Sequence, residues 1–112
     1  MKDEMPVKPL KEVPREKAFY FFTSLGNYTG ESATSLKEFA DKVKLVNIKS
    51  LEFHLSRRDF EKWATEVLED KDLAAKMVRL QTIGLTGELL RNRLYAMVSD
   101  HYNSLMYRYG KR

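Results

Sequence analysis

Apolar residues recur three and four positions apart in several stretches of this chain, the spacing that places side chains on one face of a helix. The first such stretch begins at Ser35, where Glu38 three positions on completes the pattern of a capping box. Its apolar positions are Leu36, Phe39, Ala40 and Val43. The pattern predicts a helix over about residues 35 to 46.

A second helix is predicted over about residues 57 to 69. Ser56 followed by Asp59 has the form of a helix start, and the apolar positions after it are Phe60, Trp63, Ala64, Val67 and Leu68. Acidic residues over 69 to 72 then suit the start of a further helix, because negative charge there complements the helix dipole. The apolar face of that helix is Leu73, Met77 and Leu80.

The longest helix is predicted at the C-terminal end of the chain. A turn is expected near Gly84, and Thr86 is the expected cap, with Glu88 in the first helical turn. The apolar stripe of this helix is Leu90, Leu94, Met97, Val98, His101 and Leu105.

Two segments fit a strand as well as a helix. Residues 18 to 22, AFYFF, form a short apolar run whose aromatic content favours a strand and whose position suits a first helical turn. Residues 50 to 56 alternate polar and apolar side chains like a half-buried strand, yet one helix face would also hold Ile48, Leu51 and Leu55. We favour the helix there. LGNYTGESATS, at 25 to 35, is rich in turn-forming residues and predicts a loop.

Together these elements predict a mainly α fold, a compact bundle of four or five helices with a short strand near residues 18 to 24 as an option. The three prolines within residues 1 to 14 predict an extended arm, because proline lacks a backbone donor and holds its predecessor out of the helical region. Residues 15 to 112 are then a single helical domain with one core. The predicted core is Phe39, Leu51, Phe60, Trp63, Leu73, Leu90, Leu94 and Val98.

Composition narrows the chemistry that this domain can perform. The absence of cysteine excludes disulfides, thiolate metal sites and a cysteine nucleophile. The two histidines, His54 and His101, belong to no H-E-x-x-H motif, so the sequence predicts no metal, no cofactor and no set of catalytic residues. No segment has the apolar length of a secretory signal or a membrane span, so the expected location is the cytoplasm.

Positive charge is concentrated at the C-terminal end of the chain. Residues 73 to 112 carry seven Lys and Arg against two Asp and Glu, whereas the whole chain carries 20 against 16. Tyrosines are interleaved with these cations, and this mixture contacts phosphates and stacks on bases. The predicted nucleic-acid-binding residues, which include two arginines of the central segment, are Arg91, Arg93, Arg108, Lys111, Arg112, Arg57, Arg58, Tyr107 and Tyr109. The alternative is an ordinary charged helix face with tyrosines half-buried by their rings.

Three functional hypotheses follow. The first is a small basic non-enzymatic binding module that engages nucleic acid or a nucleoprotein, such as RNA in the ribosome or DNA, through its C-terminal helix. The second is a protein–protein adaptor or homodimer that pairs through the same long amphipathic helix. The third is an enzyme in which Asp59 orients His54 as a base, although a histidine satisfied by a neighbouring carboxylate or backbone carbonyl is the simpler interpretation.

Two motifs, GNYTGESATSLKEF and SLEFHLSRRDFEKW, resemble those of a family of small archaeal and thermophilic bacterial proteins classed only as a domain of unknown function. The similar region runs from about Ala18 to Leu80, and the resemblance implies a class of organism without implying an activity. The absence of cysteine, a single glutamine and abundant charge are also typical of proteins from heat-loving organisms. The family pattern would place a glycine where this chain has Arg58, which leaves open whether a special backbone turn forms there.

Overall fold

The computed structural model describes residues 8–110 and arranges five α-helices and one β-hairpin around a single core. Along the chain these elements are β1 (Phe19–Phe22), β2 (Tyr28–Ala33), α1 (Leu36–Val43), α2 (Ile48–Ser56), α3 (Asp59–Glu66), α4 (Lys71–Ile83) and α5 (Gly87–Leu105). Short 3-10 turns at Lys8–Leu10 and Arg15–Lys17 precede the hairpin, and a π-helical turn, Met106–Gly110, follows α5. The predicted mainly α fold with a short strand is confirmed.

In the ambiguous run AFYFF, residues 19–22 form a strand. The segment after it differs from the predicted loop. Residues 28–33, predicted as part of a loop, form β2, which pairs antiparallel with β1 in the register Phe19↔Ala33 and Tyr20↔Ser32. The turn-forming residues are accommodated because the register shifts after Tyr20, and Gly30 there takes a φ of 92°. The prediction of a loop was wrong because the partner strand, not the local sequence, provides the hydrogen bonds of β2.

The predicted capping box starts α1. Ser35 Oγ accepts the backbone N–H of Glu38 at 3.1 Å, while Glu38 Oε1 accepts the backbone N–H of Thr34 at 2.7 Å. The helix ends at Val43, three residues earlier than predicted. Residues 48–56 are helical, as we favoured, with Leu51 and Leu55 buried.

Two other predicted helix starts are wrong in their details. The Ser56 hydroxyl donates to the carbonyl of Phe53 and does not cap α3, which begins after Arg58 in the left-handed conformation at φ 66°. The special backbone turn therefore does form, at a residue that bears a side chain. At α5, Thr86 makes no side-chain cap, and Glu52 Oε2 instead accepts the backbone N–H of Gly87 at 2.8 Å.

The core lies between the hairpin and the helices. All eight predicted core residues are buried, and an aromatic cluster joins the two layers, with ring centroids of Phe19 and Phe60 5.2 Å apart and those of Phe39 and Trp63 5.4 Å apart. The apolar stripe of α5 faces this core, since its buried members are Leu90, Leu94, Val98, His101 and Leu105. The apolar face of α5 is therefore buried within the domain.

Part of the predicted N-terminal arm lies against the domain. Pro9 is buried, and the backbone N–H of Val13 donates to the carbonyl of Thr34 at 2.7 Å. Residues 1–7 of the arm lie outside the described residues. No helix within residues 8–110 is long and apolar enough to cross a membrane.

Candidate nucleic-acid interface

A polar cleft of about 560 Å³ separates α4 from the C-terminal end of α5. Four cations from both sides line it: Lys71, Lys76, Arg79 and Arg108. Acidic groups also belong to the lining, namely Glu69, Asp70 and Asp72. The cleft therefore combines a predicted residue of the C-terminal segment with α4 cations that were not predicted.

Helical spacing explains why these side chains share one cleft. Lys76 and Arg79 are three positions apart and so lie on the same face of α4. His101, Ser104 and Arg108 follow one another three and four positions apart along the facing side of α5 and the turn after it. A tight connection with Gly84 at φ 80° turns the chain between the two helices.

A buried chain of hydrogen bonds holds Lys76 at the cleft. His101, which is 6% exposed, donates from Nε2 to Asp70 Oδ2 at 2.7 Å, and its Nδ1 lies 2.9 Å from Lys76 Nζ. Because the carboxylate accepts the Nε2 proton, Nδ1 presents a lone pair and the Lys76 ammonium donates to it. The second oxygen of Asp70 accepts the backbone N–H of Leu73 at 3.0 Å, which caps α4. The start of α4 and the position of the ammonium are thus fixed by one carboxylate.

The electrostatics of Asp70 follow from this network. Burial raises the pKa of its carboxyl, but the hydrogen bonds from His101 and from the Leu73 N–H outweigh burial, so the pKa is lowered from its usual value of 3.8. Asp70 is therefore held as a carboxylate. Its negative charge interacts with His101 and with the backbone N–H of Leu73 at the start of α4.

The other cations of the cleft are available to a ligand. Within residues 8–110, no side-chain hydrogen bond or ion pair occupies Lys71, Arg79 or Arg108. The tyrosines of the π-helical turn are beside them, with Tyr107 83% exposed and Tyr109, which lines the cleft, 36% exposed. Exposed cations with exposed aromatic rings are the combination that binds single-stranded nucleic acid.

The structure gives Arg91 a different environment from the one predicted. Its Nη1 donates to the carbonyls of Val43 and Val46 at 2.9 and 2.8 Å, and its Nε donates to Glu88 at 3.0 Å. Only 16% of the side chain is exposed. Arg91 thus binds one carbonyl at the end of α1 and one in the connection that follows, whereas Arg93 on the same helix is exposed and has no such partners within residues 8–110.

The two arginines of the central segment are paired with acids. Arg57 Nε donates to Asp59 Oδ2 at 3.0 Å, and Arg58 Nε donates to Glu61 Oε1 at 2.8 Å. Neither lines the cleft. Lys111 and Arg112 lie outside the described residues, so Arg108, Tyr107 and Tyr109 are the predicted residues that the structure brings to this end of the molecule. The spacing of Lys76 and Arg79 on a predicted helix was the signal for the missed cations.

His54 has both ring nitrogens engaged. The backbone N–H of Phe22 donates to its Nε2 at 2.8 Å, so Nδ1 carries the proton and donates to Asp59 Oδ2, also at 2.8 Å. Burial lowers the pKa of His54, and it outweighs the opposing effect of Asp59. In this arrangement no lone pair is available to act as a base, and His54 ties α2 to β1 and to α3.

Comparison of the chain with protein-family models, with curated proteins and with solved structures finds no match. Within the described part of the chain, no group of three or more His, Asp or Glu side chains is arranged to hold a metal ion.

Proposed function

We propose that this protein is a non-enzymatic module that binds a single-stranded segment of nucleic acid in the cleft between α4 and α5. One observation carries the proposal: Arg108 and Tyr109 of the C-terminal segment line the same cleft as Lys76 and Arg79 of α4. Cations in such a cleft neutralise backbone phosphates, and an exposed tyrosine ring gives a base a surface on which to stack.

The mixture of charges in the cleft favours a ligand that places only a few phosphates there. Glu69 and Asp72 share the lining with the cations, so the cleft offers few sites for phosphate. A duplex-binding surface instead presents a continuous row of cations, and α5 lacks one because Arg91 faces inward. A single strand of a few nucleotides fits these limits best.

Salt dependence provides the first measurement. For single strands, the logarithm of the binding constant falls with the logarithm of salt concentration with a slope of about −0.7 per phosphate contact. Contacts from the three cations that are available to a ligand, Lys71, Arg79 and Arg108, therefore predict a slope of about −2. Fluorescence anisotropy of labelled single-stranded RNA, single-stranded DNA and duplex DNA at several salt concentrations gives this slope and the preferred ligand.

A pair of double variants separates the cleft from general positive charge. We expect Arg79→Gln/Arg108→Gln to weaken single-strand binding and to reduce the slope by about one unit or more. Lys49→Gln/Lys62→Gln removes the same formal charge from exposed positions of α2 and α3 and is the matched control. Equal losses in the two double variants, or no binding by the unaltered protein at low salt, would reject the cleft as a nucleic-acid site.

A homodimer or protein adaptor is the second candidate, and exposed apolar side chains favour it. Because the apolar stripe of α5 is buried within the domain, the apolar side chains available to a partner instead include Leu45, Ile83 and Leu89, which are 68%, 55% and 68% exposed. Light scattering distinguishes the two states. A dimer that becomes monomeric in Leu89→Ser would support this candidate, and a monomer at all concentrations would remove the homodimer.

A further inference from the structure

A second cavity, of about 390 Å³, opens between the hairpin and α2. Its apolar walls are aromatic, with Phe22 and Phe53 both half-buried and both close to the His54 ring, at centroid distances of 6.4 and 5.0 Å. Leu25, at the tip of the hairpin, stands on its rim and is 78% exposed. We call this cavity the aromatic pocket. Flat apolar walls and a volume of this size suit one small planar group.

One edge of the aromatic pocket is polar. Arg57 is fixed there by its Nε, which donates to Asp59, and by the Phe53 ring 5.1 Å from its Cζ. The remaining guanidinium donors, on Nη1 and Nη2, have no partner within residues 8–110. Asp59 accepts both His54 and Arg57 on Oδ2, so its Oδ1 is an unused acceptor in the described part of the chain. Hydrogen-bond donors of Arg57 and an acceptor of Asp59 therefore both lie at the pocket edge.

The charges at the edge of the aromatic pocket determine which planar ligands can bind there. The positive charge of Arg57 and the negative charge of Asp59 cancel, and burial keeps His54 neutral by lowering its pKa. A simple anion gains little net attraction from this cluster. A ring whose edge offers both acceptors and a donor, by contrast, is complementary to Arg57 and Asp59 at once.

We propose that the aromatic pocket binds one nucleobase, with the ring against Phe22 and Phe53 and its polar edge toward Arg57 and Asp59. Nucleobases are planar heteroaromatic rings with donors and acceptors on their edges, and unstacked bases are recognised in this way by aromatic and arginine side chains. Guanine matches best, since an arginine fork fits its O6 and N7 acceptors. The proposal goes beyond binding in the cleft, because a nucleoside without phosphate tests it directly.

The test is an NMR titration of the ¹⁵N-labelled full chain with guanosine, adenosine, cytidine and uridine, followed by a uridine oligonucleotide that contains one guanosine. We expect saturable shifts of the amides of residues 22–26 and 53–59, with guanosine binding most tightly. Shifts produced by both the nucleoside and the oligonucleotide indicate a site for free and strand-borne bases alike. Shifts produced by one ligand alone identify the source that the pocket uses.

Two adjacent arginines provide a matched pair of variants. Arg57→Gln removes the donor fork, and we expect it to weaken guanosine binding about tenfold or more. Arg58→Gln removes the neighbouring arginine, which does not line the pocket, and should leave binding unchanged. The absence of shifts with every nucleoside and with the oligonucleotide, or equal losses in the two variants, would overturn the proposal. Because nucleosides lack phosphate, the cleft double variant Arg79→Gln/Arg108→Gln should not alter their binding, so the two proposals fail separately.

Discussion

The backbone N–H of Phe22 in β1 donates to the imidazole Nε2 of His54 in α2 at 2.8 Å, across 32 positions of sequence. A backbone N–H can only donate, so this bond requires the imidazole to be neutral with its proton on Nδ1. That proton is shared with Asp59 at the start of α3. One neutral side chain thus joins a strand and two helices.

Stability is expected to depend on the protonation of His54. Burial lowers the pKa of His54 in the folded protein below its usual value of 6.5. The unfolded chain therefore binds a proton first as the pH falls, so the contribution of His54 is complete above about pH 6.5 and is lost as the pH falls through the folded pKa. Urea denaturation at pH 7.5 and pH 5 should show a smaller free energy of unfolding at the lower pH.

A leucine at this position serves as the control for that prediction. His54→Leu leaves the Phe22 N–H without an acceptor, and we expect a loss of about 1–3 kcal/mol at pH 7.5. The same variant should lose much of the difference between pH 7.5 and pH 5. A difference of unaltered size in His54→Leu would assign the pH dependence to another group.

Replacing Arg58 by glycine is expected to stabilise the protein. Arg58 has a φ of 66°, a left-handed conformation that costs a side-chain-bearing residue about 1 kcal/mol and glycine very little. Its ion pair with Glu61 is exposed and contributes little in compensation. We therefore expect Arg58→Gly to raise the free energy of unfolding by about 0.5–1 kcal/mol. Lys62→Gly, within α3, should instead lower it by about 1 kcal/mol, and a loss in both variants would contradict this account.

Arg91 and Arg93 should differ sharply although they are two positions apart. Arg91→Met removes charge-assisted hydrogen bonds to the carbonyls of Val43 and Val46, and we expect a loss of about 1–3 kcal/mol. Arg93→Met changes an exposed side chain and should stay within about 0.5 kcal/mol. Thermal or urea denaturation of both variants measures the difference. Similar stabilities would mean that Arg91 contributes no more than a surface charge.

Asp70 is expected to raise the free energy of unfolding, and this contribution is expected to be lost at low pH. Asp70→Ala removes a helix cap and leaves His101 Nε2–H unpaired, so we expect a loss of about 2–4 kcal/mol. Since its pKa is lowered when folded, the contribution of the carboxylate is present above about pH 3.8 and is lost as the pH falls through the folded pKa. Asp72→Ala, in the exposed first turn of the same helix, should cost less than about 1 kcal/mol. Equal costs would contradict the role given to the Asp70–His101 pair.

Sequence alone determined four of the five helices and the part of the core that their apolar faces form. Periodic apolar positions and the capping box at Ser35 are local signals, because a helix forms its hydrogen bonds within a few residues of sequence. The same periodicity identified Trp63 and Leu94 as core residues, since one helix face must be buried.

Tertiary structure decided everything that depends on residues distant in sequence. Strand β2 exists because β1 pairs with it, and Arg91 faces inward because the end of α1 lies beside it. His54 is buried between elements distant in sequence, where its Nε2 accepts the backbone N–H of Phe22. The same holds for the cleft that joins Arg108 to Lys76, since composition indicates how much charge a segment has and only packing determines which charges meet.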